Sequence, residues 1–462
     1  MVDPGGSRRA DVLVKGEVVA EVGEGRALRA PAGADVLDAS GCLVAPGLVD
    51  VHAHLREPGA EEAESIETGA RAAALGGYTA VVAMPNTSPP ADSAAVVRQV
   101  LQLAKGACCD VRPAGTITLG REGRVLSPMA ELAALGVTLF TDDGAGVEDP
   151  GLMRRAMEYV SVLGGVIADH CEDASLVGAG VVNEGAMSSA LGLPGRPAVA
   201  EEVMVLRDLA LARLTGARLH LLHLSAAASV AAVRAAKAAG VQVSAEVTPH
   251  HLALTQDWLA GYSTAFKVNP PLRTSADLTA LREGLAEGTI DVIATDHAPH
   301  PPEAKDTSMC EAAPGMVGLE TALAVALTVL LDPPGRLGPP GGLGPPGRLG
   351  PPGPLHPGDS LVGGPQASEG HWTGLPFGRL LAAMSWVPAK IAGLSGLHGG
   401  PVAPGAPANL CVVDPARKWV VRPEKLASRS HNTPFAGQEL RGKVRHTLLA
   451  GEPVVVGEEA QR

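Results

Sequence analysis

The tetrapeptide Val51-His52-Ala53-His54 sets two imidazoles at alternate positions of a short apolar run, and neutral imidazole is the commonest protein ligand for a metal. Residues two apart on a strand project to one side, so His52 and His54 would face the same volume. An isolated H-x-H serves packing about as often as it serves a metal, so the rest of the chain has to decide.

Further candidates recur in register with similar runs. Asp143, His170, His223 and Asp296 each sit at the end of a segment rich in β-branched residues. Imidazole and carboxylate at the ends of five candidate strands match the ligand chemistry of a two-metal hydrolytic centre, with a donor set suited to zinc. Spacing alone leaves Asp142 as an alternative to Asp143. His220, an odd number of residues from His223, is expected on the outer side of its strand. His250 and His251 are expected to support the centre or to form a turn, and His297 to point away from it. Arg56, two residues past His54, could pair its guanidinium with a substrate carboxylate; an ion pair with Glu57 or Glu61 is the alternative.

The elements that must position these groups alternate in type. Candidate strands are Leu48–Leu55, Tyr78–Met84, Val111–Ile117, Gly136–Thr141, Gly165–Asp169, Ala217–Leu224, Val241–Val247 and Asp291–Thr295. Stretches of helical period lie between them, among them Ser93–Lys105, Gly151–Leu163, Ala200–Leu214 and Ser229–Ala239, with Leu319–Leu331 and Leu380–Ala392 further on. Eight alternating units predict a (β/α)8 barrel, with the ligand candidates at its C-terminal face. Only 2% of the residues are aromatic, so Ala, Val and Leu must fill the interior.

Short strands with Gly turns in Ala10–Ala45, and again in Asn409–Val413 and Lys443–Val456, cannot bury a core alone. A small β-sandwich assembled from both termini is the economical arrangement. The expected organisation is 1–47 and 401–462 as the two parts of the sandwich, with 48–400 as the barrel. Within the latter, 332–371 carries glycine at every third position from Gly335 to Gly353, in the repeat GRLGPP, GGLGPP, GRLGPP. A collagen triple helix would need three chains and a longer run, so a flexible surface insertion without a catalytic part is expected.

A formal charge of −12 argues against a nucleic-acid or anionic-membrane surface and in favour of a small-molecule substrate. Cys42, Cys108, Cys109, Cys171, Cys310 and Cys411 show no paired spacing and are expected as reduced thiols, Cys171 and Cys310 as buried structural ones. Met1–Ala10 lacks the apolar stretch of a secretory leader and no long apolar segment follows, which reads as a cytoplasmic protein.

Several segments resemble one family. PGLVDVHAHLREPG (Pro46–Gly59), MPNTSP (Met84–Pro89), FTDDG (Phe140–Gly144), ADHCED (Ala168–Asp173), EVTPHH (Glu246–His251), KVNPPLR (Lys267–Arg273) and IDVIATDHAPH (Ile290–His300) together look like the type I dihydroorotases of the amidohydrolase superfamily. The resemblance implies interconversion of N-carbamoyl-L-aspartate and L-dihydroorotate by a centre of two zinc ions. His52, His54 and Asp296 would hold one, His170 and His223 the other, and Asp143 would bridge them.

The resemblance makes Asp296 the proton-transfer residue. It adds Asn86 and His300 beside Arg56 and His54 in the substrate pocket, Asn269 at the ring, and the backbone near Pro314-Gly315. Hydantoinase-like relatives bridge with a carbamylated lysine after the fourth strand; no lysine occurs here between Lys105 and Lys237, so a carboxylate must serve. The stretch after His300 departs from the family pattern in its middle, leaving contacts of 303–313 open. A homo-oligomer or a complex with aspartate carbamoyltransferase is a possible assembly. The competing readings are an allantoinase- or hydantoinase-like enzyme and a non-catalytic scaffold for that transferase; this chain keeps every ligand that such scaffolds lose.

Overall fold

In the computed structural model, which describes residues 1–24, 28–331, 337 and 374–462, eight parallel strands alternate with helices. The strands are β1 (Leu48–Ala53), β2 (Tyr78–Ala83), β3 (Asp110–Pro113), β4 (Leu139–Phe140), β5 (Val166–Asp169), β6 (Leu219–Leu221), β7 (Val243–Val247) and β8 (Val292–Ile293). The helices that follow them in turn are α1 (Ile66–Leu75), α2 (Ala94–Leu103), α3 (Met129–Ala133), α4 (Pro150–Leu163), α5 (Val199–Thr215), α6 (Ala227–Ala238), α7 (Ser275–Glu287) and α8 (Ala322–Leu330).

Strands β1–β3 pair in one run and β4–β8 in another. Parallel bridges from Gly115 to Phe140 and from Ala53 to His297 join the two runs and close a (β/α)8 barrel. All eight expected strands are present, several shorter than their apolar runs. Pairing in β4 and β8 covers two residues each, because the backbone leaves the ladder where it turns into the site.

Local chemistry sets the helix ends. Asp149 caps α4 by accepting from Leu152 N at 2.6 Å, Pro150 opens it, and Gly164 ends it at φ 70°. The same helix buries Leu152, Met153, Ala156, Met157 and Val160 on one face.

Val49, Val51, Ala80, Val82, Ala114, Leu139, Ala168, Leu222, Val292 and Ala294 form one buried cluster with Ala389, Ile391, Ala392 and Leu394. The side chains of Thr138 and Arg218, just before β4 and β6, donate to the carbonyls of Ala392 and Ile391. That C-terminal segment therefore plugs the N-terminal mouth and leaves the opposite end for chemistry. The helix expected over Leu380–Ala392 is two, Phe377–Met384 and Trp386–Ile391, broken at Ser385 where φ is −133° and ψ −83°.

Outside the barrel, Leu43–Pro46, Leu410–Val420, Glu439–Leu449, Glu452–Val456 and Glu459–Ala460 make an antiparallel sheet from both termini. Ala10–Lys15 pairs with Val18–Glu24 beside it, and Val18 bridges to Pro407. Leu43–Val413 pairing sets the start of β1 directly against this sheet. The expected insertion 332–371 lies outside the described residues apart from Leu337. No helix among the described residues is long and apolar enough to cross a membrane.

Candidate metal centre

Six side chains from five strand ends converge at the C-terminal mouth, all buried. Asp143 lies at their middle. Its carboxylate oxygens are 3.4 Å from His52 Nε2, 3.4 Å from His54 Nε2, 3.6 Å from His170 Nδ1 and 3.6 Å from His223 Nε2. Asp296 Oδ1 lies 3.1 Å from His54 Nε2 and 3.5 Å from His52 Nε2. All six expected ligands come together. Asp142, the alternative, turns away: it accepts from the backbone of Ile117 and Thr118 and from the Thr118 hydroxyl, tying the loop after β3.

Two features of this cluster fit a metal. His52 Nε2 and Asp143 Oδ1 are buried, face one another, and have no hydrogen-bond partner, an arrangement costly to maintain without a further group. Ligand atoms of His52, Asp143 and His223, and of His52, His54 and Asp296, lie within 4.8 Å of one another. Electrostatics agree. Burial would raise Asp143, yet the imidazoles of His52, His170 and His223 hold it well below the usual carboxylate range. Asp296 is held low by His52 and His54 in the same way. The carboxylates thus call for positive charge at their centre, and mixed imidazole and carboxylate donors suit zinc.

The backbone is strained at these positions. His223 has φ 28°, Asp296 φ 45° and Arg56 φ 61°, values rare for residues with a Cβ and concentrated at functional sites.

One supporting residue was invisible to spacing. Glu246, at the end of β7, accepts from His52 Nδ1 at 2.6 Å, from His220 Nε2 at 3.0 Å and from the His223 backbone N–H at 3.1 Å. The expectation that His220 faces outward is corrected: the positive φ at His223 breaks the alternation, and His220 points inward with its other nitrogen 2.8 Å from Ser244 Oγ. His251 bonds Thr248 Oγ1 and the Pro270 carbonyl in a turn. His297 points away as expected, its Nε2 3.2 Å from Glu64.

The remaining candidates lie close to the cluster. Asn86 Oδ1 accepts from His54 Nδ1 at 2.9 Å. Arg56 makes no ion pair with Glu57 or Glu61, which instead accept from the backbone of Ile66 and Gly59. Its Nε donates to the Pro299 carbonyl at 3.2 Å, and its Nη2 lies 3.4 Å from His300 Nε2, which donates to the Pro314 carbonyl at 2.9 Å. Burial and Arg56 push His300 down to about 3, so it is neutral at physiological pH.

Asn269 Nδ2 donates to Glu172 at 3.1 Å, and its Oδ1 accepts from Arg196, which also grips Glu172 at 2.9 Å. Arg196 and Asn432 were not found from the sequence. The Asn432 amide donates to the carbonyls of Ala298 and Gly315 and accepts from His300 N. No motif marks it, because it reaches the site from the C-terminal part of the chain. Cys171 is buried, but Cys310 is exposed, contrary to expectation; none of the six thiols is in a disulfide.

Known proteins resemble this arrangement. The family described as "Dihydro-orotase-like" matches residues 41–229. A dihydroorotase of Streptomyces coelicolor is 47% identical over 98% of this chain and 96% of its own length. One from Leifsonia xyli is 46% identical over 97% and 93%. Among solved structures, an L-hydantoinase from Arthrobacter aurescens superposes with a TM-score of 0.82 at 24% identity, covering 100% of this chain and 95% of the other, a likeness of fold alone.

Proposed function

The chain belongs to the dihydroorotase family of cyclic amidohydrolases, and on that premise we propose how its residues carry the reaction. It is a dihydroorotase, closing N-carbamoyl-L-aspartate to L-dihydroorotate with loss of water, reversibly, in pyrimidine biosynthesis. The observation that carries the residue assignment is Asp143 facing four imidazole nitrogens at 3.4 to 3.6 Å.

Two zinc ions would be held here, one by His52, His54 and Asp296 and one by His170 and His223, and Asp143 would serve both. Bound zinc supplies an activated water at neutral pH and polarises the amide carbonyl. Asp296, ionised and buried at the mouth, takes the proton of the attacking water and returns it to the departing ring nitrogen. In the closing direction it takes the proton from the carbamoyl nitrogen as that nitrogen attacks the side-chain carboxyl carbon, and passes it to the carboxyl oxygen whose C–O bond breaks, so that this oxygen leaves as hydroxide and becomes water with a proton from solvent.

Arg56 binds the carboxylate that stays outside the reacting bonds, beside Asn86 and His300. Asn269 holds the ring through an amide whose orientation Arg196 and Glu172 fix, since one donates to its oxygen and the other accepts from its nitrogen. The Pro314-Gly315 backbone forms the facing wall. The assembly is a homo-oligomer or a complex with aspartate carbamoyltransferase, in the cytoplasm. Turnover of dihydroorotate by the zinc-loaded chain, measured against allantoin and hydantoin, tests this reading; faster turnover of either competitor would overturn it.

A further inference from the structure

Lys305, on the short helix Pro302–Lys305 after β8, is buried, and the reaction as described leaves it unused. Its Nζ donates to three main-chain carbonyls: Lys267 at 3.2 Å, Ala313 at 2.8 Å and Gly315 at 3.0 Å. Three N–H bonds thus meet three acceptors drawn from two separate segments. We propose that Lys305 is a positioning residue for this reaction, a clamp that fixes the two facing walls of the substrate pocket. This rests on the pocket assignment above.

Both walls connect to it through short paths. The Lys267 carbonyl also accepts from Gly315 N at 3.0 Å, so the two segments are joined twice at this point. From Lys267 the chain runs through Val268 to Asn269, the ring contact. From Gly315 it runs back to Pro314, whose carbonyl accepts from His300 Nε2, a nitrogen that lies 3.4 Å from Arg56 Nη2. Ala313 N donates to the Ala304 carbonyl, and Thr264 Oγ1 to that of Lys305, so the clamp itself is anchored on either side.

A buried ammonium normally keeps its charge through a carboxylate partner. Here, among the described residues, no carboxylate bonds or pairs with it. The titratable groups around it are Lys267, whose own Nζ donates to the Cys310 carbonyl, and His300, which is neutral, while the C-terminal segment presents the neutral amide of Asn432. Burial, then the like charge of Lys267, brings Lys305 down to about 7. Loss of that proton as pH rises through the same range removes one of three donors and leaves a carbonyl unmatched.

The test uses the zinc-loaded wild type with Lys305→Met and Lys305→Arg. Exchange of backbone amides over 303–315 is read without substrate, and KM and kcat for dihydroorotate are read from about pH 6 to 9. The clamp predicts faster exchange confined to that loop in K305M, a KM raised about tenfold with kcat changed far less, and unchanged zinc content. It also predicts a wild-type KM that climbs above about pH 7, a slope that K305M loses. K305R keeps a permanent cation and should recover loop protection in part. Wild-type exchange and KM in K305M, or an equal fall of kcat and kcat/KM with general loosening, would overturn the clamp. A wild type that fails to turn over dihydroorotate would instead overturn the reaction assigned, since loop protection is measured without it.

Discussion

Glu246 Oε1 stands 2.6 Å from His52 Nδ1, while the same oxygen accepts the backbone N–H of His223 at 3.1 Å. One carboxylate thereby orients residues assigned to different metal ions. It is also the acceptor that leaves His52 Nε2 bare toward Asp143. His52 and His220 keep it down at about 2 against a burial that would raise it.

Glu246→Gln should weaken zinc binding by about 10- to 100-fold, the usual effect of removing a partner behind a metal-ligating imidazole. Competition against a chromophoric chelator measures this directly. Equal affinity in variant and wild type would mean that Glu246 only fills space.

Asp296→Asn removes the residue proposed to carry the proton while preserving shape. The expected outcome is a fall in kcat of about 10²- to 10⁴-fold in both directions with the melting temperature little changed. Unchanged turnover would assign proton transfer to another group.

Arg56→Lys keeps the charge but loses the planar fork, so KM for dihydroorotate should rise by about tenfold or more with kcat less affected. Dihydrouracil, which lacks the carboxylate, serves as the control. Its kcat/KM should be nearly the same in both proteins, and a parallel loss would show that Arg56 acts on the centre and not on the carboxylate.

Gly315→Ala is expected to damage the pocket wall. Gly315 has φ 143°, and an added Cβ would meet Ala298 Cβ at 2.8 Å and His300 Nε2 at 2.9 Å. Strain of this kind costs about 1–3 kcal/mol. A lowered melting temperature and a raised KM are the readouts; wild-type values for both would place the loop elsewhere.

The sequence made the barrel legible because each strand is a run of β-branched or small apolar residues bounded by helical stretches, and the candidate ligands end those runs. Ladder ends were harder to read. At β8 the apolar run continues past the last paired residue to Ala294, at β4 it begins before the first paired residue at Val137, and beyond both strands the chain bends toward Asp143 and Asp296. Strand parity then failed for the same reason at His220, where the left-handed backbone of His223 reverses the facing that alternation predicts. Glu246 stood in view within EVTPHH, but nothing in spacing distinguishes a carboxylate that holds ligands from one that is solvated. Asn432 and Arg196 reach the pocket across long stretches of chain and have no local pattern at all.

The central claim is that Asp143 and Asp296 with four imidazoles hold the zinc on which dihydroorotate turnover depends. Metal content and turnover measured together on the purified chain, before and after chelation and zinc repletion, test it most directly. The account predicts two zinc ions per chain, loss of activity on their removal and recovery on their return, and neither binding nor recovery in Asp143→Asn. Full turnover by metal-free protein, or stoichiometric zinc retained by Asp143→Asn, would contradict it.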